Sequence, residues 1–286
     1  MKKSISLTGV IFGLLLIAVV SWSGSAGVWQ AFTVPPVIVG AIVALLVQWG
    51  GFVVAWRYQT ERFFDLLGSG SFIVIVLIAV FVSRSNLGLL DVFLAGAVCL
   101  WAVRLGSFLV TRIRLTGEDK RFEKMKLDFL WFLMTWTLQG AWVVVTSAAA
   151  LSVIGDGDAQ QIGFVEATGL AIWLLGMTLE VVADEQKKKF RSAGNDSFIS
   201  TGLWSRSRHP NYFGEVLLWS GLSIAALPVL TGWQLATLVS PIFVWTLLTK
   251  ISGVPMLEAK ADRRWKDDAS YVEYKKNTPL LIPRLW

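Results

Sequence analysis

The sequence predicts an all-α protein that threads a membrane seven or eight times. Three observations predict it. Charge is scarce: 26 Lys and Arg with 20 Asp and Glu make 16% of the chain, against roughly 25% in a soluble domain. Apolar residues make 55% of it, with a mean hydropathy of +0.60. These residues also come in long runs, each near the ~20 residues a helix needs to cross ~30 Å of hydrocarbon. The same composition excludes a soluble enzyme, a coiled coil and a disordered chain.

The runs fall at about 4–21, 34–56, 71–83, 89–110, 129–151, 162–183, 212–227 and 233–249. The third, seventh and eighth are short, and seven helices with one re-entrant pair fit the same pattern. No repeat, low-complexity tract or soluble insert interrupts the runs, so residues 1–286 read as one integral membrane domain. The basic residues then set the orientation. With the N-terminus in the cytoplasm, 24 of the 26 Lys and Arg fall at that end, in alternate loops or in the C-terminal tail. Arg84 lies outside and Arg104 lies within the fourth span. Both termini are therefore expected in the cytoplasm. Lys2 and Lys3, an apolar run and Ser23-Gly24-Ser25-Ala26-Gly27 also fit a signal peptide. Its removal would leave seven spans and the downstream orientation unchanged. The exterior loops carry little charge, Asp156 and Asp158 being the notable residues. The net charge of +6 follows from the cytoplasmic bias and suits lipid headgroups, so no nucleic-acid partner is expected.

Rare residues narrow the chemistry. The single cysteine, Cys99, excludes an intrachain disulfide, a thiolate zinc site and an iron–sulfur cluster. The single histidine, His209, excludes multi-histidine iron and zinc sites. No metal is expected, and any redox chemistry needs a diffusible cofactor.

Ionisable groups inside spans are functional candidates. Asp65 precedes the third span, Arg104 lies in the inner half of the fourth, Glu180 ends the sixth and Glu215 opens the seventh. All four fall at a similar depth near the cytoplasmic leaflet, where helix-end pairing or snorkelling is the alternative reading. Beyond Glu180, the residues Asp184, Lys187 and Arg191 follow at spacings of 4, 3 and 4 and share one helix face. That face is either a salt-bridged helix end or a nucleotide site, with bases on phosphates and an acid on ribose hydroxyls.

The densest local pattern is Ser207-Arg208-His209-Pro210-Asn211-Tyr212-Phe213-Gly214-Glu215. Pro210 suits the first helical position and Gly214 a close backbone approach. Asn211 and Glu215 share a face with Tyr212 beside them. Arg208 and His209 stand at a helix N-terminus, where free N–H groups and the dipole favour an anion. A capping histidine beside an exposed arginine is the plainer alternative. In the tail, Glu258, Tyr271, Tyr274 and the basic residues around them either close over a nucleotide or lie on headgroups.

With these anchors, residues from about 100 to 286 resemble the C-terminal region of the steroid 5-alpha-reductase superfamily, closest to its bacterial membrane branch. The motifs carrying the resemblance are Gly117-Glu118-Asp119-Lys120-Arg121-Phe122, Ala183-Asp184-Glu185-Gln186, the Ser207–Glu215 segment and the tail ending Ile282-Pro283. Delta-14 sterol reductases share an Arg-His-Pro-Asn-Tyr-x-Gly-acid segment. The resemblance divides the chain into N-terminal spans over 1–98 and a reductase-like region over 99–286. It implies a cytoplasmic-membrane enzyme of a bacterial type, which takes NADPH from the cytoplasm and passes hydride to an activated C=C bond of a lipophilic substrate. By the same resemblance, Asp184, Arg191, Asn211 and Glu215 hold the coenzyme, with Glu180, Lys187, Arg208, His209, Tyr212 and Tyr274 around them. Arg104 borders the nicotinamide, Asp65 stands near the place of a substrate-carbonyl glutamate, and Tyr58 or water reprotonates the product.

Three departures accompany it. Trp101 stands at the substrate-gripping tyrosine position, Glu180 replaces an asparagine, and Ser197 falls where an arginine is expected. The rival is a methyltransferase resembling the isoprenylcysteine carboxyl and phospholipid enzymes, which bind S-adenosylmethionine and pair Arg-His-Pro-x-Tyr with a later glutamate, here Glu258. A transporter would instead bury charge at the midplane on broken, paired helices. A non-catalytic membrane protein of the same fold is the remaining alternative.

Overall fold

The computed structural model describes residues 3–28, 34–116, 119–154, 156 and 161–284, with Lys2, Gly117, Glu118 and Asp158 outside them. The regular elements among these residues are all helical: α1 (Lys3–Gly24), α2 (Pro36–Tyr58), α3 (Phe64–Val82), α4 (Leu89–Thr116), α5 (Phe129–Ile154), α6 (Phe164–Ser192), α7 (Pro210–Ala226), α8 (Ser240–Thr246), α9 (Gly253–Trp265) and α10 (Ala269–Asn277). Seven helical stretches among the described residues are long and apolar enough to cross a membrane: α1 to α6 and Gly232–Trp265. The protein is an all-α, polytopic membrane protein.

The last stretch is not one regular helix. A 3-10 segment at Gly232–Val239, α8, a π-turn at Leu247–Ile251 and α9 follow one another. Between α6 and that stretch, α7 has 17 residues, about 25 Å at 1.5 Å per residue. Helix α3 begins at Phe64, so Asp65 lies in its first turn rather than ahead of the span. The apolar run starting near residue 71 misses this turn because Gly68, Ser69 and Ser71 are small and polar yet buried. Asp65 there meets the positive end of the helix dipole.

The chain divides into two compact units, 1–163 with 226–240 and 164–225 with 241–286. In the first, α5 is the central helix and packs on α1, α2, α3 and α4. Small residues set these approaches. A Cβ on Gly13 would lie 3.3 Å from Thr137, and one on Gly51 would lie 2.6 Å from the Trp136 ring. Phe52, Phe122, Phe132 and Trp136 form a buried aromatic cluster with Phe63 and Phe64 against it. Glu61, 4% exposed, pairs with Lys126 at 3.0 Å and accepts from the Asp119 backbone N–H at 3.2 Å. Glu61 thereby pins the connection between α4 and α5.

In the second unit, α6 and α7 run antiparallel through reciprocal glycines seven residues apart. A Cβ on Gly169 would strike the Ala225 backbone nitrogen and lie 2.6 Å from the Gly221 carbonyl oxygen. One on Gly221 would strike the Trp173 nitrogen. Gly176 and Gly214 meet in the same way one step along, Gly214 lying 2.6 Å from the Glu180 nitrogen when given a Cβ. Such contacts let two backbones approach where lipid offers no hydrophobic drive to hold helices together. The atoms a Cβ would meet are backbone, which cannot swing aside. Gly176→Ala and Gly214→Ala are each expected to lose about 1–3 kcal/mol by overpacking. Gly50→Ala in α2, which meets nothing within 4 Å, should be neutral or gain up to ~1 kcal/mol of helix propensity. Thermal unfolding in detergent measures the contrast.

Candidate functional site

The α6–α7 glycine contact fixes what lies one turn further along. Past Glu180 and Gly214, Asn211 Nδ2 donates to Asp184 Oδ1 at 3.1 Å. On the neighbouring face of α6, the Leu203 backbone N–H donates to Gln186 Oε1 at 2.9 Å, and Trp204 Nε1 donates to the Ala183 carbonyl at 3.0 Å. Lys187 Nζ stands 4.4 Å from the centre of the Trp204 ring. The face predicted from the 4-3-4 spacing is real, but it divides: Glu180 and Asp184 are buried, Lys187 is half-buried and Arg191 is exposed.

The start of α7 is held from the tail. Arg208 N–H donates to the Pro279 carbonyl at 2.9 Å, Arg284 N–H to the Arg206 carbonyl at 3.0 Å, and Ser207 Oγ to the Leu281 carbonyl at 2.7 Å. Tyr274 OH donates to the Trp204 carbonyl at 2.7 Å. These bonds lay α9 and α10 against the Ser207–Tyr212 turn, which brings in Glu258. One oxygen of Glu258 accepts from Arg208 Nη1 and lies 3.5 Å from Lys275 Nζ; the other lies 2.9 Å from His209 Nε2. Lys275 continues to Asp262 at 2.5 Å, and Tyr271 OH donates to Asp262 at 2.9 Å. The His209 and Tyr212 rings stack at 5.6 Å and 8°, with Gly253 leaving room for Tyr212: a Cβ there would lie 2.8 Å from the ring.

The anion expected at Arg208 and His209 is thus one the chain supplies itself. Burial pushes the His209 imidazole below its ordinary value, against the opposing pull of Glu258. Burial likewise pushes the Tyr271 and Tyr274 phenols well above theirs. Three buried atoms here make no hydrogen bond among the described residues: Arg208 Nε, His209 Nδ1 and Asn211 Oδ1. Unpaired buried polar atoms are costly unless something completes them. A polar ligand carrying both donors and acceptors would complete these three.

Of the predicted residues, Glu180, Asp184, Lys187, Arg208, His209, Asn211, Tyr212, Glu215 and Tyr274 all belong to the second unit, with Arg191 at the exposed end of its helix face. Asp65, Tyr58, Arg104 and Trp101 belong to the first. Asp65 and Arg104 are half-buried, and the Arg104 guanidinium lies 5.6 Å from the Phe108 ring. Tyr58 is 72% exposed at the end of α2. Trp101, expected to touch substrate, is fully buried: Phe72 and Trp142 meet its indole edge to face at 5.2 and 5.9 Å. That packing leaves the indole no open face, so Trp101 is a core residue. Sequence reasoning gave no site role to Trp204 or Gln186, and it paired Glu258 with the Arg208-His209 segment only under the rival reading. A signal for Glu258 was present in the i,i+4 pair Glu258–Asp262, matched by Tyr271–Lys275.

Residues 51–278 match the family described as protein of unknown function DUF1295. The chain belongs to that family. It is also 30% identical to 3-oxo-5-alpha-steroid 4-dehydrogenase 1 of Rattus norvegicus, over 41% of this chain and 40% of the relative. The Mus musculus protein of that name is 28% identical, over 41% and 42%. A probable O-methyltransferase, ustE, of Ustilaginoidea virens is 28% identical, over 57% of this chain and 64% of its own. The chain spans about two fifths of the steroid relatives. No solved structure matches it. The resemblance to steroid 5-alpha-reductases read from the motifs is borne out, and this DUF1295 protein also carries similarity to a methyltransferase.

Two outcomes follow for stability. Glu258→Ala leaves Arg208 and His209 as uncompensated cationic and polar groups and is expected to lower stability by about 3 kcal/mol, read by thermal unfolding. The pH dependence has two edges. His209 is held neutral in the fold, so stability is lost as pH falls through 6.5, where the unfolded imidazole takes a proton. The two tyrosines are held protonated, so stability is lost as pH rises past 10, where unfolded tyrosines ionise. Unfolding midpoints across pH, with tyrosinate absorbance on the alkaline side, should trace both edges.

Proposed function

We propose that the protein is an NADPH-dependent membrane reductase that passes hydride to an activated C=C bond of a lipophilic substrate, a steroid-like, isoprenoid or lipid enone. The Asp184–Asn211 pair carries this reading: it lies part-buried at the α6–α7 contact, beside Lys187, with one unsatisfied buried atom of its own, Asn211 Oδ1, and two more on Arg208 and His209. The donor set fits a pyridine nucleotide. Asp184 and Asn211 Oδ1 suit hydroxyls, and Lys187 and Arg191 suit phosphate oxygens. Tyr212, stacked on His209, gives a flat wall, and Tyr274 holds the Trp204 loop in place. Glu180 and Glu215 extend the acidic side of the same face.

NADPH would supply the hydride, and the protein's part is to hold, orient and keep water away. By the resemblance alone, Asp65 and Arg104 are the groups assigned to the substrate's polarised end. Tyr58 is exposed, which favours water as the source of the proton at the α-carbon. The bias of Lys and Arg toward alternate loops and the tail supports a cytoplasmic face for this chemistry, with both termini on that side. Substrate would enter from the bilayer among membrane lipids.

Similarity to an O-methyltransferase over 57% of the chain, with Glu258 on the Arg208-His209 pair, favours methyl transfer from S-adenosylmethionine as the second reading. Thermal shift of the detergent-purified protein with NADPH, NADH and S-adenosylmethionine separates the two, because a ligand bound only by the folded state raises the midpoint. NADPH should stabilise, and Asp184→Ala or Asn211→Ala should weaken its binding about 10- to 100-fold, the loss of one hydrogen bond with a charged partner. Stabilisation by S-adenosylmethionine alone would overturn the reductase reading.

A further inference from the structure

We propose that His209 and Asn211 form an acceptor subsite: Glu258 holds the imidazole as its Nε2–H tautomer, so that His209 Nδ1 and Asn211 Oδ1 receive hydrogen bonds from a neutral hydroxyl or amide of the ligand. The proposal rests on reading the start of α7 as part of a ligand site and deepens it by naming the group bound there.

The tautomer follows from the partner. A carboxylate only accepts hydrogen bonds. The Glu258 oxygen 2.9 Å from His209 Nε2 therefore requires a proton on that nitrogen. Arg208 and Lys275 on the other oxygen favour the ionised carboxylate. The charged groups facing the ring are Glu258, Arg208 and Lys187, with Lys275 behind Glu258. Burial of the imidazole together with two nearby cations disfavours a second proton. Nδ1, buried and without a partner among the described residues, is left with its lone pair.

Asn211 follows the same logic. Its Nδ2 donates to Asp184 Oδ1, which fixes the amide orientation and leaves Oδ1 as a second buried acceptor with no partner among the described residues. Arg208 Nε adds one buried donor. Two acceptors and a donor suit a group that both gives and takes hydrogen bonds. A phosphodiester oxygen, which only accepts, would meet two lone pairs. Glu258 is then a positioning residue: it spends the charge of Arg208 and sets which ring nitrogen faces the ligand. A vicinal diol and a primary carboxamide both satisfy this chemistry.

The chain has one histidine, so the full protein grown with 15N-histidine and held in detergent gives a single pair of ring nitrogens by NMR. The ligand-free protein at neutral pH should show Nε2 protonated and Nδ1 bare. NADPH should move Nδ1 toward the hydrogen-bonded range while Nε2 stays, and inorganic pyrophosphate should move neither. Adenosine and nicotinamide, tried separately, distinguish a diol from a carboxamide as the donor. Glu258→Gln should lose the tautomer preference and Glu258→Asp should regain part of it, which a purely structural role would not produce. A protonated Nδ1 or an imidazolium in the ligand-free protein would overturn the proposal. So would a shift of Nδ1 by pyrophosphate, or thermal stabilisation by NADPH with Nδ1 unmoved. Because the tautomer is read without ligand, failure of NADPH to bind would sink the reductase reading and leave this one to be decided by the ring nitrogens.

Discussion

Two backbones touching at Gly169–Gly221 and Gly176–Gly214 set the geometry of the second unit. In lipid, packing must hold helices together without help from water, and a glycine pair is the closest packing available. The register it imposes carries Glu180 to Gly214 and then Asp184 to Asn211. A side chain at any of these glycines would push α7 outward and part the hydrogen-bonded pair beyond it. The polar site is thus a consequence of an apolar contact three to fifteen residues away.

Above that contact, the polar chemistry is arranged as neutralisation. The segment around Arg208 and His209 looks like a cationic invitation to phosphate, yet Glu258 meets both residues, and Asp262 with Tyr271 absorbs Lys275. The charge left for an anion lies on α6, at Lys187 and Arg191. What remains beside α7 is a small set of neutral hydrogen-bonding atoms. This division of labour, charge on one helix and hydrogen-bond reading on the other, suits a ligand whose ends differ in character. A nucleotide is such a ligand.

Much of this was legible in the sequence, for reasons that can be named. Apolar runs gave the spans, because hydrocarbon thickness imposes one length on every helix. The 4-3-4 spacing gave the α6 face, and Pro210 marked the start of α7. The start of α3 was not legible: Gly68, Ser69 and Ser71 are polar by type and buried by packing, so the helix begins a full turn and more ahead of its apolar run. The enclosed setting of Trp101 was not legible for a related reason. An indole placed by resemblance at a substrate position is enclosed by Phe72 and Trp142, two residues distant in sequence from it and from each other. Glu258 depended on a long-range pairing, 49 and 50 residues from its partners, which periodicity within one helix does not reveal.

The backbone pairing of residues 206–208 with 279–284 also orders events during synthesis. The α6–α7 hairpin can enter the bilayer and close its glycine contact while the ribosome is still translating. His209 meets its carboxylate only after residue 258 has cleared the exit tunnel, and the start of α7 acquires its tail segment only after residue 284 has done so. Membrane insertion and completion of the polar cluster are therefore separate steps in time: a nascent chain stalled between residues 226 and 258 would have threaded α7 yet would still lack the carboxylate that Arg208 and His209 share.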